Sequence, residues 1–211
     1  TIKIQHILQH AHLLPVLKET GCLFITSAVE SIDDKVLEYF DKKHTAADFA
    51  RAVYLLRDHD LVLAPTFVPF TPWTTLSGYI ALLQRIYDLQ LIENVPAIQL
   101  AIRLLVPQGS YLLNLDGFDQ LIGPYDAVSL GYTWQHTDPR VDELQQKAQH
   151  LAASASDNDR FEVFGEIWRL AHHALGIPTP ALLRRDAAFI PHLTETWYCC
   201  AEPTDQQLQT F

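Results

Sequence analysis

Apolar residues in this chain fall into short continuous runs, and these runs alternate with stretches of helical spacing. The runs near residues 21–27, 61–68 and 97–105 are rich in β-branched residues and end at Gly, Pro or polar positions, which predicts three buried strands. Strands without polar alternation are typical of parallel sheets covered by helices. The pattern therefore predicts an α/β fold with parallel strands and right-handed crossover helices.

Helix-start signals precede the apolar stripes between these strands. Ser31 with Asp34, and Thr45 with Asp48, have the spacing of a capping box. The apolar residues behind these signals, and a third set further along, recur at helical spacing. These residues are Val36, Leu37 and Phe40, then Phe49, Val53 and Leu56, then Leu76, Ile80, Leu83 and Tyr87.

The pattern changes after residue 107. Residues 108–138 are rich in Gly, Tyr, Asp and Leu without a clear period, which indicates an irregular connection. Helices are predicted over about Pro139–Ser154 and Asp159–Leu175, with Gly176 ending the second. We expect residues 1–107 to form the α/β part and residues 139–211 a mostly helical C-terminal region with a partly extended tail.

Composition narrows the class of protein. The 211 residues include 15 basic and 25 acidic side chains, for a net charge of −10, and 48% are hydrophobic. This excludes a disordered chain and disfavours nucleic acid or an anionic membrane as partner, because both need clustered Lys and Arg. No apolar run reaches the roughly 18 residues of a spanning helix. The three cysteines cannot form a secreted disulfide framework, which favours a reducing, cytoplasmic setting.

Polar residues at the predicted strand ends are the first candidates for a binding site. Ser27 and Glu30 follow the first strand, and Arg103 interrupts the third. Ligands of parallel α/β sheets bind at the carboxyl ends of the strands. Because a lone charge in an apolar strand is costly unless paired, Glu30 and Arg103 fit either a ligand site or a structural ion pair.

Histidines and cysteines give weaker signals. His6, His10 and His12 include one pair at helical spacing, but no local carboxylate or cysteine completes a metal site. Cys199 and Cys200 are adjacent, a geometry that is poor for an unstrained disulfide, and chance adjacency is the alternative interpretation. The chain contains no phosphate-binding loop, nucleophile elbow or CxxC motif.

Several segments together resemble radical S-adenosylmethionine enzymes. In chain order, the first segments look like the fourth strand and the following helix of that family, and the next two look like its fifth and sixth strands. The segment at the C-terminus matches the tail of the CUAEP/CCAEP-tail radical SAM subgroup. The segments are Ser27–Ser31 with Val36–Leu37, Lys43–Thr45 and Asp48–Phe49, then Ala64–Thr75, Gln99–Pro107 and Cys199–Pro203. The resemblance implies the second half of a partial (βα)6, TIM-like barrel, with Ser27, Glu30 and Arg103 on the cofactor side and Cys199 and Cys200 in the chemistry.

Two family motifs are missing, the CxxxCxxC loop that holds the [4Fe–4S] cluster and the Gly-Gly-Glu motif that grips the methionyl amine. The chain also lacks Met and begins within a helical pattern. We therefore expect a fragment whose full-length parent uses S-adenosylmethionine and a [4Fe–4S] cluster on an unknown small-molecule or peptide substrate. The fragment itself is expected to bind no cofactor, to be inactive and to self-associate. The alternative is a non-catalytic metal- or redox-binding module that uses Cys199 and Cys200.

Overall fold

The computed structural model describes residues 1–154, 160–184 and 190–191. It has a mixed α/β architecture in which β1 (Phe24–Glu30) and β2 (Val62–Phe67) pair in parallel. Parallel strands need a crossover, and two of the helices, at residues 34–39 and 46–58, provide it. The two strands and the alternation of strand and helix confirm the predicted α/β class. Cys199, Cys200 and the rest of the predicted tail lie outside the described residues.

Seven helices and two hairpin strands complete the described secondary structure. The helices are α1 (Ile4–Gln9), α2 (Leu14–Glu19), α3 (Asp34–Tyr39), α4 (Ala46–Asp58), α5 (Leu76–Asp88), α6 (Pro139–Ser154) and α7 (Arg160–Leu175). The hairpin strands are β3 (Ile122–Asp126) and β4 (Gly131–Trp134). Short 3-10 turns lie at Ala11–Leu13, Ile92–Asn94, Ala97–Leu100, Tyr111–Asn114 and Phe118–Gln120.

Helix starts follow the capping signals, with one shift. Thr45 caps α4 in a full capping box, because its hydroxyl accepts from the Asp48 N–H and the Asp48 carboxylate accepts from the Thr45 N–H. At α3 the predicted cap Ser31 is wrong. Asp33 is the N-cap and accepts hydrogen bonds from the next turn, whereas the Ser31 hydroxyl accepts from the Asp33 N–H.

The two faces of the parallel sheet differ in burial. Ile25 and Val29 of β1 and Leu63 and Phe67 of β2 face a core that they share with helices, among them α1, α4 and α5. The alternate positions face the other way and are only half-buried. These open-face residues are Phe24, Thr26, Ala28, Val62, Ala64 and Thr66. The expected burial of both faces is therefore wrong for the described chain, which covers one face with helices.

The third predicted strand is reduced to a short extended segment. Residues 97–100 form a 3-10 turn, and the parallel pairing is a single bridge between Phe70 and Arg103. Two backbone hydrogen bonds make this bridge, from Phe70 N to Ile102 O (3.1 Å) and from Leu104 N to Phe70 O (2.8 Å). The ladder does not continue toward β2, because Val68 N donates to the Glu30 carbonyl and Phe67 N donates to Oε1 of the Gln99 side chain.

The connection over residues 108–138 is more regular than its sequence indicates. It contains the antiparallel pair β3 and β4, which docks on the extended segment 102–106 through a hydrogen bond from Tyr132 N to Val106 O (2.8 Å). Gly131 permits this close approach, since a Cβ there would lie 2.7 Å from Leu105 Cδ1. These strands are five and four residues long, and only Gly131 and Trp134 among their residues are buried, so they leave little hydrophobic period in the sequence.

The C-terminal helices match the sequence prediction. Helix α6 spans Pro139–Ser154, and α7 begins at Arg160 and ends before Gly176, whose φ of 76° is the left-handed conformation of a C-terminal cap. Both helices pack into the main core. None of the described helices combines the length and the apolar character needed to cross a lipid bilayer.

Candidate functional site

Glu30 ends β1 at the carboxyl edge of the parallel sheet. The register of the sheet shifts between Ala28 and Glu30, and Glu30 adopts a φ of 67°, a left-handed conformation that is rare for a residue with a side chain. Its Oε1 accepts a hydrogen bond from Lys42 Nζ at 2.9 Å, with 14% of the Glu30 side chain exposed. The carboxylate is therefore paired within the protein at the position where a parallel α/β sheet binds ligands.

His44 lies behind this ion pair, and sequence reasoning did not select it as a site residue. Its ring is buried, and Nε2 lies 3.2 Å from the carbonyl oxygen of Val29, the residue before Glu30. Burial lowers the pKa of His44 from its ordinary value of 6.5; the Lys42 charge also lowers it, while the Val29 carbonyl, Asp48 and Glu30 oppose the shift. The neutral imidazole can donate Nε2–H to the carbonyl. The sequence signal that could have found His44 is its position directly after Lys42 and Lys43 and directly before Thr45, where the capping box begins.

Ser27 does not lie on the open face with the expected cofactor. The alternation along β1 turns its side chain toward the helix-covered core, where the residue is fully buried. In the described part of the chain, its Oγ is buried without a hydrogen-bond partner. The described geometry therefore supports a place in the core for Ser27 and gives it no access to a ligand at the strand ends.

Arg103 forms part of a structural cluster. Its guanidinium lies 3.4 Å above the centre of the Trp134 ring and donates from Nη1 to Asp142 Oδ1 and from Nη2 to the Trp134 carbonyl, both at 2.5 Å. Asp142 also accepts a hydrogen bond from the His136 N–H at 2.9 Å. The cluster joins the segment 102–106 to β4 and to the first turn of α6, so the Arg103 charge is met by protein groups.

An aromatic cluster lies beyond the carboxyl end of β2. The Trp73 ring centre is 4.6 Å from that of Tyr39 and 5.4 Å from that of Phe118. Thr71 and Thr74 hold the turn that carries Trp73, through hydrogen bonds from Thr71 N to Thr74 Oγ1 (2.9 Å) and from Thr74 Oγ1 to the Pro69 carbonyl (2.8 Å). These residues connect the ends of α3 and β2 to the second, smaller core.

Of two cavities, one lies away from the predicted strand-end site and the other lies beside it. One of about 380 Å³ is at the amino end of β2, between Leu61, Val62, Tyr87, Leu91 and Phe161. The other, of about 360 Å³, is a polar hollow along the α3–α4 loop, lined by Asp34, Glu38, Asp41, Lys42, Lys43, His44, Thr45 and Asp48. Only the second is close to Glu30, through Lys42.

No group of three or more His, Cys, Asp or Glu side chains within the described residues is placed to hold a metal ion. His6, His10 and His12 lie near one another on the surface, with neighbouring ring centres 6.2 Å apart. Cys22 is half-buried, and its thiol lies 3.5 Å from the Phe24 carbonyl oxygen. The described residues therefore do not fit a [4Fe–4S] cluster.

Comparison with models of protein families finds none that matches the chain, and comparison with curated proteins finds no similar sequence.

Proposed function

We propose that this chain is the carboxyl-terminal half of the barrel of a radical S-adenosylmethionine enzyme, followed by a helical region. The observation that carries the proposal is the carboxylate of Glu30, held at the carboxyl end of the first of two parallel strands. The resemblance puts the ribose contacts of the fourth barrel strand at this position. The motif residues that flank Glu30 are those by which the sequence resembles the family.

The half-buried face of the sheet also supports a partial barrel. Its side chains are small, apolar or hydroxylic, like those that fill the interior of a barrel. Helices pack on the opposite face, as they do around the outside of a (βα) barrel. We expect this uncovered face to cause self-association when the chain is purified alone, and light scattering that shows a stable monomer would contradict that expectation.

The residues of the chain fit the two implied cofactors differently. Nothing described in the chain supplies the three thiolates of a [4Fe–4S] cluster, so the proposal places the cluster-binding residues in another part of the parent protein. Glu30 fits a ribose, because Lys42 uses its Oε1 and the second carboxylate oxygen can accept a hydroxyl hydrogen. The resemblance also implied Ser27 and Arg103 as cofactor-binding residues. Ser27 instead lies in the core, and Arg103 belongs to a structural cluster.

When bound, S-adenosylmethionine with a reduced cluster supplies the 5′-deoxyadenosyl radical, and the role of this chain is to hold the cosubstrate. Glu30 orients the ribose by accepting from its hydroxyls, and Lys42 limits the cost of keeping a half-buried carboxylate ionised. In this proposal the open face of the sheet lines the reaction space. The substrate is a small molecule or peptide whose class the proposal leaves open.

The test uses the complete reading frame that contains this chain. After anaerobic cluster reconstitution, we expect the absorbance of an iron–sulfur protein and formation of 5′-deoxyadenosine, whereas the present chain alone should give neither. Glu30→Gln should weaken S-adenosylmethionine binding about tenfold, the loss expected for one charge-assisted hydrogen bond. Glu38→Gln, which changes an exposed carboxylate of α3, is the matched control. Equal affinities in the two variants would exclude Glu30 from the binding site.

The adjacent thiols of the tail need a separate test, since they lie outside the described residues. We propose that Cys199 and Cys200 act on the substrate, as metal ligands or hydrogen donors. Replacing both with Ser should abolish product formation and leave 5′-deoxyadenosine formation largely intact. Normal turnover by the double variant would remove the pair from the mechanism. Metal binding by the complete protein without any 5′-deoxyadenosine formation would favour the thiol-bearing module instead.

A further inference from the structure

Three contacts from distant residues and one local hydrogen bond hold the left-handed end of β1. The Glu30 carbonyl accepts from Val68 N (2.9 Å), and the Glu30 carboxylate accepts from Lys42 Nζ (2.9 Å). The preceding carbonyl, that of Val29, lies 3.2 Å from His44 Nε2 and also accepts from Ser31 N (2.9 Å). A residue with a side chain keeps a left-handed conformation only where its surroundings fix it.

The α3–α4 loop supplies two of these contacts from residues that are two positions apart. The buried ring of His44 fixes the loop against β1, and Lys42 reaches Glu30 from the same loop. Neighbouring Lys43 points to Asp41 instead, and about two thirds of its side chain is exposed. Of two adjacent lysines, the loop therefore directs one to the strand end and the other to solvent.

The loop itself is fixed at both ends. Lys42 N donates to the Leu37 carbonyl at the end of α3, and Ala46 N donates to Asp34 Oδ1 at 2.7 Å. The Thr45 capping box then begins α4. The loop, fixed at both ends, therefore presents the His44 ring and the Lys42 side chain together to the end of β1.

We propose that His44 is a positioning residue for Glu30. By donating to the Val29 carbonyl, His44 holds the bulged end of β1 in its left-handed conformation and keeps Lys42 within hydrogen-bond distance of the Glu30 carboxylate. The functional meaning rests on the proposed function, in which Glu30 contacts the ribose of the cosubstrate. His44 itself contacts no ligand in this assignment.

The charged groups near His44 are consistent with a neutral ring. Lys42, Glu30 and Asp48 are the charges that act on it, and the first two compensate each other in an ion pair. Asp48 is committed to the capping box with Thr45 and pairs with Arg51. A neutral imidazole with its hydrogen on Nε2 satisfies the Val29 carbonyl without placing an uncompensated charge in the core.

The test compares His44→Gln with His44→Leu in the full chain. The Gln amide can replace the Nε2–H donor, whereas Leu fills similar space without a donor. Amide hydrogen exchange at Ser31 and Val68 reports on the Val29 and Glu30 carbonyls, and the side-chain ammonium signal of Lys42 reports on the ion pair. Loss of the hydrogen bond should raise exchange at both amides about tenfold in the Leu variant, and Gln should restore it to within about twofold.

Two further variants separate positioning from general stability. Lys42→Gln should increase exchange at Val68, whereas Lys43→Gln, the adjacent control, should leave both amides unchanged. If the Leu variant does not fold, His44→Asn replaces it, because its shorter amide cannot reach the carbonyl and should behave unlike Gln. Wild-type exchange in the donor-free variant, or equal loss in the Gln and donor-free variants, overturns the assignment.

The result is independent of cofactor binding. Rescue by Gln in the present chain, combined with unchanged S-adenosylmethionine affinity for Glu30→Gln in the complete protein, would support the positioning contact and reject the proposed function. Failure of the Gln rescue, combined with weakened S-adenosylmethionine affinity for Glu30→Gln, would reject the positioning contact and support the proposed function.

Discussion

Replacing Arg103 with Met distinguishes a structural cluster from a ligand-binding charge. In the structure, Arg103 pairs with Asp142, donates to the Trp134 carbonyl and lies over the Trp134 ring. Met has a similar length and keeps most of the apolar contact of the side chain, so the substitution removes the charge and the hydrogen bonds with little change of volume. If these contacts hold the segment 102–106 against β4 and α6, the free energy of unfolding must fall.

The size of the effect follows from burial. Only 14% of the Arg103 side chain and 23% of the Asp142 side chain are exposed. Breaking a fully buried pair costs about 3–5 kcal/mol and an exposed pair at most about 1 kcal/mol, so this pair should lie between them, at about 2–3 kcal/mol. Asp142 keeps its hydrogen bond from the His136 N–H, which limits the penalty. For a chain of this size, the loss corresponds to a melting temperature lower by about 4–12 °C.

Urea unfolding followed by tryptophan fluorescence measures this loss of stability. A double-mutant cycle with Asp142→Asn isolates the pair, because the sum of the two single losses should exceed the loss measured in the double variant by about 1–2 kcal/mol. Arg140→Met is the control, since Arg140 forms an exposed pair with Asp138 and should change stability by less than about 0.5 kcal/mol. An unfolding curve of Arg103→Met that matches the wild type would refute the structural interpretation and return Arg103 to the candidates for ligand binding.

Two further predictions concern the core near β1. Ser27→Ala should raise the free energy of unfolding by about 1 kcal/mol, because it removes a buried hydroxyl that has no partner in the described chain, and a destabilised variant in urea titration would show that the hydroxyl is satisfied. Because burial lowers the pKa of His44 in the folded state, the unfolded chain takes up a proton at a higher pH than the folded chain does. The contribution of His44 to the free energy of unfolding should therefore be complete above about pH 7 and decrease as the pH falls below about 6.5. The His44→Gln variant should lack this decrease. Parallel pH profiles of the free energy of unfolding in the two proteins would contradict the prediction.

The sequence determined the local elements that depend on neighbouring residues. The capping box at Thr45, the bounds of α6 and the end of α7 at Gly176 all matched, because caps and helical periods are set within one or two turns of chain. The class of fold followed from the same evidence, since an apolar run, a helix and a second apolar run permit few arrangements. The position of Glu30 at the end of β1 was also readable from the pattern.

Contacts between distant segments decided the form of the third predicted strand and the environments of Ser27 and Arg103. The apolar run at 97–105 looked like a strand, but Gln99 donates no ladder bond there and instead accepts from the Phe67 N–H through its side chain. The direction of Ser27 depended on which face of the sheet the helices cover, and the partner of Arg103 lies 39 residues away in α6. These outcomes depend on register and on packing across the sheet, which a hydrophobic pattern along one chain does not contain.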